Sequence, residues 1–276
     1  MSFRSLLYVP ADNQKFISKA HQYGADAIIL DLEDAVAPAK KIAAREDLIN
    51  SVPQVGKSGA KVFVRINSDM EAGIPDAISA AKAGAFGVYV PKANVTNLKL
   101  LDEKLDAFER KQRRTPLEVI ALIEDPTSLI AVEQIVQHDR VSGVAVGGED
   151  MAMALGAQPD ADVLKLPKQL VHFAAKAHGV FSFGMFRSVA NYSDLGAIKE
   201  GAVEAKRYGF DGSSCVHPSA VPILNAAFQA SDLDVLWAKQ IVEEYARSGG
   251  SISFQGKMID APVYKRALSI LQNLDD

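Results

Sequence analysis

The strongest constraint on the fold is a regular alternation of short apolar runs with amphipathic helical stretches. The runs have the length and composition of buried strands, and helical patterns separate them. They lie at residues 5–10, 27–33, 62–67, 87–92, 119–125, 141–148, 180–186 and 212–218. Eight strand–helix repeats predict parallel pairing through right-handed crossovers, and the economical closed form of such a chain is the (β/α)₈ barrel.

An open, doubly wound sheet is the structural alternative to the barrel. Dinucleotide-binding sheets of that kind carry a glycine-rich turn after the first strand. Here the turn reads Val-Pro-Ala-Asp-Asn at residues 9–13, without glycine. The sequence therefore favours a TIM barrel, which forms one catalytic domain over residues 1–230, a size that such barrels commonly have.

The pattern changes after the eighth strand. Helical patterns at 232–247 and 261–273 flank a glycine-rich loop that contains Lys257 and Asp260 in the motif Gly-Lys-Met-Ile-Asp. We expect residues 231–276 to form a C-terminal helical extension beyond a finished barrel. Its loop is suited to fold over a barrel mouth, either its own or that of a neighbouring subunit.

Charge and composition narrow the classes of partner. The net charge is −4 and the isoelectric point is about 5.8, so a basic surplus for nucleic acid or anionic membranes is missing. No run approaches the ~20 apolar residues of a membrane span. The single cysteine, Cys215, leaves no intrachain disulfide and fits a reducing compartment. These features predict a cytoplasmic protein.

Charged and polar side chains collect at the ends of the predicted strands, whereas the strand interiors are apolar. A barrel directs these ends to one basin, where chemistry gathers in this fold. Singly, each acid has a structural interpretation, because an acid after a strand often caps the next helix, and Asp34 and Asp150 suit that role. The strand-end residues are Asp31, Glu33, Asp34, Arg65, Asn67, Lys92, Glu124, Asp125, Glu149, Asp150, Arg187 and His217.

Glu124 and Asp150 follow the fifth and sixth strands, so both carboxylates can reach one hard divalent cation. Mg²⁺, or Mn²⁺ in its place, prefers oxygen ligands and is usually held by one or two carboxylates. The chain has no CxxC and no HExxH, so a zinc site of familiar spacing is not indicated. The Gly147-Gly148 pair lets a substrate carboxylate approach the backbone. Arg65 is the candidate for binding that carboxylate or stabilising an oxyanion, which suits a small oxo acid.

Longer sequence blocks carry a family resemblance across nearly the whole chain. They are RSLLYVP (4–10), GADAIILDLEDAVAPAKKIAAR (24–45), VRIN (64–67), PK (91–92), ALIED (121–125), GVAVGGEDMAMALG (143–156), CVHPSAVPILNAAF (215–228) and GKMIDAP (256–262). In their order and spacing, these blocks resemble the citrate lyase β-subunit family. That family lies within the HpcH/HpaI aldolase and citrate lyase superfamily, together with malyl-CoA and citramalyl-CoA lyases.

The resemblance implies a Mg²⁺-dependent carbon–carbon lyase. Such an enzyme cleaves a β-hydroxyacyl thioester of CoA or a carrier protein, of the citryl, citramalyl or malyl type, into an acetyl thioester and a 2-oxo acid. Glu124 and Asp150 match the metal ligands, and Arg65 matches the residue that binds substrate carboxylate and oxyanion. Asp260 matches an acid/base on a C-terminal segment that covers a neighbouring subunit's site in relatives. A homotrimer or hexamer is therefore expected.

The remaining assignments are supporting ones. We expect Asp31, Glu33 and Asp34 to organise metal-bound waters or Arg65, and Gly148 and Glu149 to help bind substrate beside Glu124 and Asp150. Lys41 and Arg45 suit the phosphates of CoA or of a carrier arm, but a solvated helix face explains them equally well. Two other functions stay open at this point. One is a class II aldolase that acts on free hydroxy-oxo acids, and the other is a barrel that binds without turnover.

Overall fold

Eight parallel strands surround the centre of the molecule. The structure is a computed structural model that describes residues 3–187, 192–248 and 250–272. The barrel strands are β1 (Ser5–Pro10), β2 (Ala27–Asp31), β3 (Lys61–Arg65), β4 (Gly87–Val90), β5 (Glu118–Ile123), β6 (Val141–Val146), β7 (Phe181–Phe183) and β8 (Ser213–Cys215). Strands β7 and β8 are shorter than the sequence predicted, which leaves more of the following segments free of the sheet.

The strands pair in chain order from β1 to β7, and β8 returns to pair with β1. Between β7 and β8 the ring closes through one bridge, from Phe183 to Gly212, and through the hydrogen bond that Gly184 N–H donates to the Gly212 carbonyl at 2.9 Å. The prediction of a (β/α)₈ barrel is confirmed. Its weakest seam lies between β7 and β8.

Helices cover the outside of the barrel. They are α1 (Gln14–Ala20), α2 (Lys41–Glu46), α3 (Leu48–Gly56), α4 (Met70–Ala83), α5 (Val95–Gln112), α6 (Pro126–Ile130), α7 (Val132–Val136), α8 (Gly148–Ala154), α9 (Ala161–His178), α10 (Leu195–Tyr208) and α11 (Val221–Phe228). Asn and Asp side chains cap several of their first turns, as Asp69 does at α4. Glycines in the left-handed conformation end α4, α9 and α10.

Two apolar layers hold the barrel together. The larger one lies between the strands and the helices, and the smaller one fills the barrel interior. In the interior, an aromatic cluster closes the amino-terminal end, where Phe3 packs edge-on against Phe63 at 5.7 Å and Phe86 at 5.9 Å. The interior is therefore a packed core, and polar chemistry is confined to the carboxyl ends of the strands.

The C-terminal extension contains α12 (Asp232–Ser248), α13 (Ala261–Gln272) and, between them, a hairpin of β9 (Ile252–Phe254) and β10 (Lys257–Ile259). The sequence predicted a loop here. Gln255 and Gly256 both have positive φ, at 48° and 74°, which suits a two-residue hairpin turn. The predicted helix continues to residue 273, which lies outside the described residues.

The extension has a small apolar core of its own, built from Ala238, Ile241, Ile259 and Ala267. Helix α13 packs mainly on α12, and the hairpin completes this unit. The division of the chain near residue 230 stays a prediction. In the described ranges, no helix is both long enough and apolar enough to cross a membrane.

Candidate active site

An arginine and an aspartate form the best-fixed part of the basin at the carboxyl ends of the strands. Arg65, at the end of β3, donates from Nε and Nη2 to the two carboxylate oxygens of Asp31, at 2.7 and 2.6 Å. Asp31 also accepts backbone N–H groups from Glu33, at 2.9 Å, and Ala35, at 3.2 Å. Because its oxygens are held from several sides, Asp31 fixes the plane of the Arg65 guanidinium.

Two further acids and a ring complete the setting of Arg65. Its Nη1 lies 3.3 Å from Glu33 Oε2 and 3.1 Å from Asp34 Oδ2, and the guanidinium sits 5.2 Å from the centre of the Tyr8 ring. Burial by itself would lower the pKa of Arg65, but the hydrogen bonds that it donates to Asp31 and the negative charges around it raise that pKa overall. The group is therefore a permanent cation.

Glu124 is a buried carboxylate beside this cation. It follows β5, is only 5% exposed, and its Oε2 accepts the backbone N–H of Lys92 at 2.7 Å. Desolvation raises its pKa to about 7, and the charges of Asp150 and Glu33 add to this. The Lys92 N–H and Arg65 act in the opposite direction. Residues at or after the ends of β2, β3 and β6 thus contribute to the electrostatic surroundings of Glu124.

Gly147 makes room for the second oxygen of Glu124. A Cβ at position 147 would lie 2.4 Å from Glu124 Oε1 and 2.6 Å from its Cγ, closer than any real side chain tolerates. The φ of Gly147 is an ordinary −77°, so the requirement is for space and not for backbone freedom. Glycine at this position lets the turn after β6 approach the carboxylate of β5.

The two acidic dipeptides have different arrangements. In the first, Asp125 accepts the backbone N–H of Ser128 at 2.9 Å and forms a capping box at α6, so only Glu124 faces the basin. In the second, both acids lie in the first turn of α8, where Asp150 is half-buried and Glu149 is exposed. Asp150 does not cap α8, because the cap residue is Gly147.

The donor set fits a hard divalent cation held partly by solvent or substrate. Glu124 makes no ion pair with a cationic side chain in the described chain, although it is buried, and an unpaired buried carboxylate is costly. Over the same residues, no cluster of three or more His, Cys, Asp or Glu side chains has the geometry of a metal site. A pair of carboxylates with open positions is what Mg²⁺ usually occupies.

Lys41 and Arg45 lie on α2 beside the basin but are already engaged. Lys41 donates to the side-chain oxygen of Asn67. Arg45 pairs with the fully buried Asp76, which also accepts the backbone N–H of Asn67 at 3.0 Å. Arg45 therefore anchors α2 to α4. A contact with CoA stays a prediction for both residues, and Lys41 suits it better because its partner Asn67 is uncharged.

Asp260 lies apart from the basin residues along the chain fold. It follows β10 and caps α13, where its Oδ1 accepts the Val263 N–H at 3.4 Å and its carbonyl accepts the Tyr264 N–H at 3.0 Å. None of its hydrogen bonds or ion pairs in the described residues involves the barrel. Its carboxylate is half-buried.

Two contributors to the site were missed at the sequence level. Tyr8, half-buried in β1, has its ring against Arg65, and desolvation raises the pKa of its hydroxyl. Its alternation with Leu6 along the strand was the available signal, because both side chains point into the barrel. The other is the backbone of Lys92, whose positive φ of 46° aims its N–H at Glu124, and nothing in the local sequence indicates that conformation.

The site lies at the strand ends of a TIM barrel and contains a fixed arginine and a buried carboxylate without a cationic partner among the described residues. These features define a TIM-barrel enzyme for a small anionic substrate. The model of the family described as HpcH/HpaI aldolase/citrate lyase matches residues 4–218. The chain belongs to this family, and it is accordingly a carbon–carbon lyase. The resemblance found in the sequence blocks is confirmed.

Curated relatives match over nearly the full length. A citrate lyase subunit beta from Haemophilus influenzae is 34% identical over 280 residues, covering 98% of this chain and 96% of the relative. A (3S)-malyl-CoA thioesterase from Cereibacter sphaeroides is 31% identical over 266 residues, covering 94% and 90%. Among solved structures, the CitE protein from Mycobacterium tuberculosis with magnesium, acetoacetate and coenzyme A has a TM-score of 0.81 and 28% identity, covering 100% of this chain and 99% of that one.

Proposed function

We propose that this lyase is Mg²⁺-dependent and cleaves a β-hydroxyacyl thioester of the citryl-, citramalyl- or malyl-CoA type into an acetyl thioester and a 2-oxo acid. The observation that carries the proposal is the buried Glu124 carboxylate, which forms no ion pair with a cationic side chain in the described chain and whose pKa the charge of Asp150 helps to raise. Support comes from the structural relative that holds magnesium, acetoacetate and coenzyme A.

Glu124 and Asp150 would hold the cation, and Gly148 and Glu149 would line the approach of the substrate. When bound, Mg²⁺ supplies positive charge that polarises the carbonyl oxygen of the oxo acid. Arg65 binds the substrate carboxylate or donates to the oxygen on which charge develops. Because Asp31 already fixes the guanidinium, this donor needs no reorganisation during the reaction.

The bond that breaks joins the hydroxyl-bearing carbon to the α-carbon of the thioester. Its electron pair passes to the thioester enolate, the hydroxyl becomes the oxo group with loss of its proton, and the enolate carbon takes up a proton. Asp260 is the proposed group that exchanges the proton at that carbon. In the condensation direction the same carboxylate removes it.

Asp260 is proposed to act on the basin of a neighbouring subunit, in a homotrimer or hexamer. It lies on an extension with its own apolar core, and its hydrogen bonds stay within that extension. A cyclic oligomer would place each hairpin over the next barrel mouth and complete every site in the same way. Lys41, at the rim of the basin, is the proposed contact for the phosphates of CoA or of a carrier arm.

The test is turnover of citryl-, citramalyl- and malyl-CoA with Mg²⁺, with products identified by mass spectrometry. We expect acetyl-CoA and the matching 2-oxo acid, loss of turnover on chelation, and loss of at least about 100-fold in kcat for Asp260→Ala. Glu133→Gln, a change at an exposed acid on α7, is the matched control and should turn over normally.

Other product patterns would overturn the proposal. Free CoA with an intact hydroxy acid would identify thioester hydrolysis, the activity in the name of the Cereibacter relative. Cleavage of free hydroxy-oxo acids, with every thioester untouched, would identify an aldolase. Full activity of Asp260→Ala on a cleaved thioester would remove Asp260 from the acid/base role while leaving the lyase assignment in place.

A further inference from the structure

A pocket of about 220 Å³ opens at the carboxyl end of the seam between β7 and β8. Because only one bridge closes that seam, the chain after Phe183 leaves the sheet and a space remains beneath α9. The pocket is smaller than those that hold whole drug-sized ligands, so it fits one end of a small molecule. Much of its wall is apolar, and its charged lining residues are Glu149, Lys168 and Arg187. The apolar side chains are those of Val146, Leu164, Val171, Phe183, Met185 and Phe210.

One wall of this pocket carries a buried ammonium. Lys168, on α9, is only 7% exposed, and its Nζ donates to the carbonyls of Met185, at 2.7 Å, and Phe186, at 3.3 Å. An ammonium has three donors, so one remains for a ligand. Lys168 forms no ion pair with a carboxylate in the described part of the chain. Burial lowers its pKa to about 8 and the charge of Glu149 raises it, so it is mainly protonated at neutral pH.

The hydroxyl of Ser182 is a second polar group of this pocket. Ser182 lines the same pocket and is 1% exposed, and its Oγ has no hydrogen-bond partner among the described residues. Buried hydroxyls normally have one. An anionic ligand would satisfy both groups, because it would accept a hydrogen bond from the Ser182 hydroxyl and offset the charge of Lys168. A carboxylate on a short carbon chain has that chemistry and suits the apolar walls.

The pocket adjoins the reacting centre through a two-residue turn. A Cβ on Gly148 would lie 3.9 Å from Lys168 Nζ, and one on the preceding Gly147 would touch the Glu124 carboxylate. The ammonium and the buried carboxylate therefore flank one turn from two sides. A substrate with one end beside Glu124 reaches Lys168 with its other end when only a few carbons separate them.

We propose that this pocket binds a second carboxylate on the 2-oxo acid half of the substrate, with Lys168 as the specificity-determining residue. The preferred ligands are short 2-oxo dicarboxylic acids such as oxaloacetate. Monocarboxylic acids such as pyruvate and glyoxylate place no second carboxylate beside the ammonium. The inference rests on the proposed function for the reaction, and binding of the free acid tests it separately.

The first test is calorimetric titration of wild type, Lys168→Met and Lys168→Arg with oxaloacetate, pyruvate and glyoxylate in the presence of Mg²⁺. Wild type should bind oxaloacetate at least about tenfold more tightly than pyruvate. Lys168→Met should weaken the binding of oxaloacetate by about 10- to 100-fold, as expected for the loss of one charged hydrogen bond. It should weaken the binding of pyruvate by less than about threefold. Lys168→Arg should retain part of the preference. Malate and lactate, which do not decarboxylate, repeat the comparison.

The contrary results are equally specific. If wild type shows no preference, or if Lys168→Met weakens both acids alike, the lysine only holds the Met185 and Phe186 carbonyls and the proposal is wrong. Ser182→Ala is the variant least disturbing to the fold, and it should weaken oxaloacetate alone by about threefold or more. Equal binding of oxaloacetate by this variant and wild type would remove Ser182 from the subsite.

Turnover separates failure of the pocket from failure of the proposed function. With citryl-CoA and citramalyl-CoA, Lys168→Met should lower kcat/KM selectively for citryl-CoA, whose oxo acid half has the second carboxylate. Equal losses on the two thioesters would overturn the subsite and leave the lyase function standing. If wild type cleaves no thioester but still prefers oxaloacetate in the titration, the subsite stands and the proposed reaction fails.

Discussion

Arg65 and Asp31 face each other as paired residues of neighbouring strands, and their side chains form a two-point ion pair. The ladder sets Asp31 of β2 opposite Arg65 of β3, and the side-chain contacts are 2.7 and 2.6 Å. Register in a barrel is fixed by the whole ring, so this pair is fixed before any substrate arrives. The arginine therefore presents its remaining N–H groups in a defined direction.

Replacing Asp31 by Asn should lower kcat/KM by about 10- to 100-fold, because partners of this kind orient the groups that touch the substrate. The amide keeps the shape of the side chain but removes the charge that balances the half-buried Arg65. Steady-state kinetics measure the effect. Asp34→Asn is the matched control, since Asp34 contacts the same guanidinium while its side chain is 72% exposed. A change of less than about threefold is expected there.

If the two variants lose activity equally, Asp31 has no special positioning role. If Asp31→Asn is as active as wild type, the guanidinium is held by other contacts.

Mg²⁺ affinity should depend on pH through Glu124. Its pKa is raised to about 7, mainly by burial, and only the ionised carboxylate binds a cation. Apparent affinity should fall about tenfold per pH unit below 7 and level off above it. Titration with Mn²⁺ by electron paramagnetic resonance measures this. Glu124→Gln should bind weakly with no such slope, and a slope that survives in this variant would show that another group is responsible.

The same carboxyl group should make the metal-free protein less stable as pH rises. Its folded pKa lies above the unfolded value near 4.5, so the folded state binds the extra proton between the two values. The contribution of this group to the free energy of unfolding is largest below about pH 4.5. It declines as the pH rises to about 7, by about 3 kcal/mol at most. Urea unfolding of wild type against Glu124→Gln isolates the contribution, and Mg²⁺ should remove the difference. Parallel pH curves for the two proteins would contradict the assignment.

Gly147→Ala should impair the site through space alone. The new Cβ would lie 2.4 Å from Glu124 Oε1, so either the carboxylate or the turn after β6 must move. We expect Mg²⁺ affinity to fall by about tenfold or more, as for displaced ligand partners. Gly201→Ala in α10 is the matched control, because its nearest neighbour would be 3.6 Å away. Isothermal titration with Mg²⁺ compares them, and equal affinities would mean that the turn yields easily.

Much of this site could be predicted from the sequence because a parallel barrel brings strand ends together. The apolar runs placed Arg65, Glu124 and Asp150 at the ends of strands that turned out to be close, and the dipeptide at 124–125 divided into a basin acid and a helix cap. A local pattern shows where along a strand a residue lies. For residues at strand ends, this position alone predicts that their side chains meet in the basin.

The rest depends on tertiary packing that no local pattern records. The N–H of Lys92 reaches Glu124 only because Lys92 adopts positive φ, a conformation imposed by its surroundings. The burial of Lys168 depends on how α9 packs against the segment after β7, where its Nζ meets the carbonyls of Met185 and Phe186. The sequence predicts a loop where the hairpin before Asp260 lies, because strands of three residues are too short for an alternating pattern to indicate them.

Complementation between two inactive variants should reveal whether Asp260 works in a neighbouring subunit. Arg65→Ala lacks the barrel arginine and keeps Asp260, whereas Asp260→Ala lacks the acid and keeps the barrel. If each site combines one barrel with the extension of the next chain, random mixing in equal amounts rebuilds roughly a quarter of the sites in a cyclic oligomer.

The mixture should therefore regain up to about a quarter of wild-type activity after subunits exchange under mild denaturant. The control mixes Arg65→Ala with Glu124→Gln, since both changes lie in the barrel and no pairing of chains repairs a site. Activity in the control mixture would point to revertants or contamination. A silent Arg65→Ala and Asp260→Ala mixture, with subunit exchange verified by native mass spectrometry, would mean that Asp260 serves its own barrel or none. A site built from a single chain always contains one of the two lesions.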